Sequence, residues 1–128
     1  MKTGYIQILD LDFEYKLWKN RLYFYRSEVE ILEGRIHVLS KEISGYEPNT
    51  EHIKLMKNQH EKALQLLNNI ETLEQEMALY AKDYPIDEKH VHFLAHLKVR
   101  NEMEKITERQ DFILCNVFPE LCRKVSGS

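Results

Sequence analysis

The sequence predicts an all-α protein: an elongated, up-down-up antiparallel three-helix bundle, coiled-coil-like, finished by a short C-terminal helical turn. Three observations predict it. First, 128 residues include only four glycines and three prolines, too few chain-breakers for a many-turned β fold or an α/β sheet. Second, Pro48, Pro85 and Pro119 fall at nearly even intervals, and proline inside a helix loses a hydrogen bond and clashes with the preceding turn, so all three read as boundaries. Third, apolar residues between them recur at helical spacing. The length suits a single domain, here over residues 10–125, and a 43% hydrophobic content supplies its core.

Residues 1–9 read as an extended N-terminal segment. The first helix is expected over about 10–45, where Leu11, Trp18, Tyr25, Leu32 and Leu39 repeat by heptads and Tyr15, Leu22, Val29, Ile36 and Ile43 interleave with them. That alternation of steps of four and three is a coiled-coil seam. Asp10 or Asp12 can cap its start, and Gly45 supplies a left-handed residue at its end.

The linker Gly45-Tyr46-Glu47-Pro48 leads to a second helix over about 50–83, capped by Asn49 or Thr50. Its apolar stripe includes Ile53, Met56, Ala63, Leu66, Ile70, Leu73 and Met77. Folding the first two helices back about residues 47–48 sets Trp18 by Met77, Leu22 by Leu73, Val29 by Leu66 and Leu39 by Met56. Only Ile36, opposite Gln59, breaks this apolar pairing. Short linkers make consecutive helices antiparallel neighbours.

The third helix, about 87–117, has Asp87 as its expected cap and a weaker stripe: Leu94, Leu97, Val99, Met103, Ile106, Ile113 and Val117. Pro119 then opens a short turn over 119–125, and residues 126–128 are expected to fray. In helix count, rough length and a tryptophan (Trp18) inside the first helix, the architecture resembles spectrin-type three-helix repeats. The resemblance is one of shape.

A second heptad series on the first helix, Leu17, Phe24, Ile31 and Val38, sits well round from the seam. Glu14, Arg21, Glu28, Arg35 and Glu42 separate the two stripes and alternate in sign. Two readings are open. The third helix and the N-terminal residues Tyr5, Ile6 and Ile8 can cover the extra stripe, or the stripe packs on another subunit. The second is preferred, with a twofold homodimer as the default closure and the alternating charges fixing an antiparallel register. A helix of a partner protein is the other occupant this face fits. Tyr23, off both stripes, is a further candidate contact.

Glu88, His92 and His96 follow i, i+4, i+8 within the expected third helix. Two imidazoles and a carboxylate on one face can reach a divalent metal such as zinc. Six of the thirteen aromatic residues crowd the start of the first helix (Phe13, Tyr15, Trp18, Tyr23, Phe24 and Tyr25), near Tyr80, Tyr84 and the histidines. The alternative function is therefore a small-ligand or metal-binding bundle using this end.

Other classes find less support. The formal charge is −3 with no basic stripe, which disfavours nucleic acid as a partner. No apolar run reaches the roughly 20 residues of a membrane helix. No nucleophile elbow or Gly-rich phosphate loop is present, so no enzyme is expected. Cys115 and Cys122 are expected as reduced thiols, and no signal peptide is evident, which makes the cytoplasm the default location. The expected function is a non-enzymatic interaction or scaffold bundle that self-associates through its first helix.

Overall fold

The computed structural model describes residues 6–126, with side chains through Cys122. Three helices pack against one another: α1 (Ile8–Glu42), α2 (Thr50–Met77) and α3 (Val91–Ser126). The expected all-α, three-helix bundle is what the chain forms. At roughly 1.5 Å per residue, α1, with 35 residues, is about 50 Å long. Tyr5 and most of the expected frayed tail lie outside the described residues. No helix among those described is long and apolar enough to cross a membrane.

Local chemistry sets the helix ends. The Gln7 backbone N–H donates to Asp10 Oδ2 at 3.0 Å, so Asp10 secures the start of α1 from inside its first turn. Gly45, at φ 81°, takes the left-handed conformation expected of it. Asn49 Oδ1 accepts from the N–H groups of Glu51 and His52, at 3.0 and 3.2 Å, and so caps α2.

The structure corrects three boundaries. Helix α2 ends at Met77, short of residue 83, because the chain turns into a tertiary contact. Two short strands, β1 (Ile6–Gln7) and β2 (Pro85–Ile86), pair antiparallel, with Ile6 against Ile86. Beside them the N–H groups of Ile8 and Leu9 donate to the carbonyls of Tyr84 and Lys82 at 3.1 and 3.0 Å. The residue before a proline favours extended backbone, which suits Tyr84 to this role. Helix α3 begins at Val91 rather than 87: Asp87 Oδ1 instead accepts from Lys89 N–H at 2.9 Å in the preceding turn. His90 is the working cap, its Nδ1 accepting from His92 N–H at 3.1 Å and its carbonyl from Leu94 N–H at 3.0 Å. Finally, α3 continues through Pro119 with no separate C-terminal turn. Val117 and Leu121 are buried on either side of it, so packing outweighs the missing proline N–H.

The core falls into two apolar clusters. One, at the open ends of α1 and α2, includes Leu11, Tyr15, Trp18, Leu22, Leu66, Ile70, Met77, Ile86, Val99 and Met103. The other, towards the α1–α2 turn, holds Val29, Leu32, Ile36, Leu39, Met56, Ile113, Val117 and Leu121. Between them lie two buried glutamines, Gln59 and Gln110. Lys19 Nζ meets Glu74 Oε1 at 2.7 Å, close to the pairing register expected for α1 and α2.

Candidate functional site

The buried face of α1 runs through Leu11, Tyr15, Trp18, Leu22, Val29, Leu32, Ile36 and Leu39. This leaves the second stripe facing outward. Leu17, Phe24, Ile31 and Val38 are 51, 60, 70 and 38% exposed, and Tyr23 is 50% exposed. Among the described residues, neither α3 nor Ile6 and Ile8 covers the stripe. Ile6 and Ile8 turn instead to β2 and the core cluster at the open ends of α1 and α2, while α3 packs along the charged ladder itself, holding Glu14 and Glu28.

Helix α3 contributes to the same surface. Phe118 is 51% exposed, and with Leu121 and Cys122 it faces Ile31, Leu32 and Arg35 across an apolar groove of about 320 Å3. Cys115, Phe118 and Cys122 step by three and four along α3. This extension is missed when a helix is ended at Pro119, because the residues on either side of the proline are then never placed on one face. The i, i+3, i+7 spacing of those three residues was the available signal. Neither cysteine forms a disulfide.

The charged ladder is divided in its commitments. Glu14 Oε1 accepts from Arg100 Nη2 at 2.8 Å and lies 2.5 Å from His96 Nε2. Glu28 Oε1 accepts from Gln110 Nε2 at 2.9 Å. Arg21, Arg35 and Glu42 are exposed and make no ion pair among the described residues.

The aromatic end is packed from within. His96 is fully buried, stacked on Trp18 with ring centroids 4.8 Å apart and tilted against Tyr15 at 4.6 Å. Burial pushes the His96 imidazole below its ordinary value; Arg100 adds to that, and the bond and charge of Glu14 oppose it. The neutral ring then donates from Nε2 to Glu14, and its Nδ1 has no protein partner. Burial alone would raise the Glu14 carboxyl, but the bonds from Arg100 and His96 outweigh it and hold it below the usual range. Tyr15 Oη is likewise buried without a protein partner. Its phenol is pushed up by burial and by the charges of Glu74, Glu14 and Glu76. Tyr80 meets His92 edge-on at 5.1 Å and Tyr84 at 4.9 Å.

The expected metal trio is not assembled. Glu88 lies in the turn before α3, so the i, i+4, i+8 face does not exist. His92 faces Tyr80 and His90, and His96 is engaged by Glu14. Among the described residues, no three His, Cys, Asp or Glu side chains come together as a ligand set. Leu94 and Leu97, expected in the core stripe, are 49 and 38% exposed. His92, His96 and Gln110 occupy the core phase of α3 instead, in step with Val99, Met103, Ile106 and Ile113.

The fold is an all-α three-helix bundle that carries, among the described residues, an outward apolar row along α1. The chain matches no known protein family, no curated protein and no solved structure.

Proposed function

We propose that the protein is a non-enzymatic interaction module whose outward face of α1, widened by α3, binds a helix, in the first instance that of a second copy. One observation carries the reading. Four large apolar side chains at heptad spacing, Leu17, Phe24, Ile31 and Val38, lie in line on the surface of the single chain. Single exposed apolar residues are normal on a soluble protein, but a contiguous apolar row marks an interaction surface. Each such side chain contributes roughly 1.5–3 kcal/mol when fully buried, offset by the entropy lost on association.

Sedimentation velocity from low to high micromolar concentration tests this. The wild type is expected to sediment as a dimer, and the double variant Phe24→Glu/Ile31→Glu as a folded monomer. A wild-type monomer throughout the range overturns the proposal, as does a variant that dimerises as the wild type does.

A further inference from the structure

We infer that two copies pair through α1 in one antiparallel register, with the twofold axis passing beside Ile31 and Phe118. This rests on the reading of the α1 face as a self-association surface and adds to it the direction and alignment of the pairing.

The charges give the direction. In a twofold antiparallel helix pair, each flank of one helix faces the same flank of the other, whereas in a parallel pair it faces the opposite flank. The flank beside the apolar row carries Glu14, Arg21, Glu28, Arg35 and Glu42. Its strict alternation is self-complementary only when it meets itself running backwards. In a parallel pair it would face Phe13, Asn20, Ser27, Gly34 and Lys41, four of them uncharged.

Two positions of the twofold axis, one heptad apart, satisfy the alternation with two distinct ion pairs each. With the axis at Ile31, Ile31 meets the partner's Ile31, and Phe24 meets the partner's Val38. Arg21 then meets the partner's Glu42, and Glu28 the partner's Arg35. All these pairs lie within one residue, about 1.5 Å along the axis, of a common level. With the axis at Phe24, Glu14 would meet the partner's Arg35 and Arg21 the partner's Glu28.

The structure separates the two. Glu14 is already held by His96 and Arg100 inside the chain, while Arg21, Arg35 and Glu42 are exposed without an ion pair among the described residues. The level of Phe24 is fixed on α3 by the Tyr25–Thr107 hydrogen bond at 3.1 Å. An axis there would crowd Glu104, Glu108 and Asp111 of both copies. The level of Ile31 is that of the apolar groove with Phe118 and Cys122, so the axis at Ile31 brings apolar surface of α3 together as well. Ile31, the most exposed of the row at 70%, sits at the centre. The ion pairs are surface pairs of small individual worth; they choose the register more than they strengthen it.

Spin labels on Lys41→Cys, with Cys115→Ser and Cys122→Ser to remove other thiols, read the register as one intermolecular distance. Lys41 is exposed in the last turn of α1. The inferred register separates the two labels by about 30 Å along the axis, the heptad-shifted one by about 50 Å, and a parallel pair leaves them about 10 Å apart. A distance near 30 Å by pulsed electron resonance is expected. A dimer with either other distance overturns the register while leaving self-association standing. A labelled protein that sediments as a monomer, where the unlabelled wild type is also monomeric, overturns both. If only the labelled protein is monomeric, the same label on Asn20→Cys, with the same cysteine replacements, decides: about 33 Å is expected, against about 12 Å for the shifted register.

Discussion

Gln59 Nε2 donates to Gln110 Oε1 at 2.9 Å in the middle of the bundle, between the two apolar clusters of the core. All four N–H donors of the two amides and both carbonyl oxygens find a partner. Gln59 Nε2 also donates to the Ile106 carbonyl at 2.9 Å, and Gln59 Oε1 accepts from Arg109 at 3.1 Å. Gln110 Nε2 reaches the Tyr25 carbonyl and Glu28. One polar layer thus ties all three helices at a single level. A satisfied buried polar layer fixes alignment more than it adds stability.

Replacing one member alone should therefore be costly. Gln110→Leu leaves one Gln59 N–H without an acceptor in the core, and a loss of about 1–3 kcal/mol is expected in urea unfolding. Gln59→Leu/Gln110→Leu should recover much of that, giving a strongly non-additive double-mutant cycle. Additive losses would show that the two amides act independently.

The pH dependence of stability should carry a signature of His96. Burial depresses its folded-state value below the ordinary 6.5, so below that pH the unfolded chain binds the proton more readily than the folded one. Its contribution is complete above about 6.5 and is lost as pH falls through the depressed value, with a limiting slope of about 1.4 kcal/mol per pH unit. The protonated ring would also bury an Nδ1–H with no protein acceptor. Melting at pH 7.5 and pH 5.5 checks this: the wild type should lose more stability than His96→Gln over that interval. Equal losses would count against it.

Tyr15 offers the opposite kind of test. Its ring is wholly buried among Trp18 and His96, and its hydroxyl finds no protein partner. Tyr15→Phe keeps the ring and removes the stranded group, so thermal stability should be unchanged or should rise by about 1 kcal/mol. A loss above about 1 kcal/mol would mean that the hydroxyl is hydrogen-bonded in solution.

How much of this was legible in the sequence depends on the range of the interactions involved. The seam of α1 follows from heptad spacing, and the caps at Asn49 and Gly45 follow from local chemistry, so both could be read from neighbouring residues. The pairing of Ile36 with Gln59 was visible as a lone exception to apolar matching; its partner Gln110, some fifty residues on, was not. The outward row on α1 was plain in the sequence, but its exposure was not, since that depends on where β1 and α3 settle. The end of α2 and the start of α3 were missed because the β1–β2 pairing, a contact between the chain start and a distant loop, overrides helical periodicity. Glu88, His92 and His96 do not share a helical face for a related reason: the turn at Asp87 and the His90 cap start α3 after Glu88.

Two glycines should respond to alanine with opposite signs. Gly34 lies inside α1, and a Cβ built there meets nothing within 4 Å. Gly34→Ala should stabilise the chain by about 1 kcal/mol, the ordinary helix preference for alanine over glycine. Gly45 also has open space around it, but its φ of 81° is a conformation in which a Cβ crowds the following carbonyl. Gly45→Ala should therefore cost about 1–2 kcal/mol without any steric contact to a neighbour. Urea midpoints of the two variants, measured at a concentration where the wild type is dissociated, compare the effects on the single chain. Should both variants shift the same way, the backbone conformation at the α1–α2 turn would need to be redrawn.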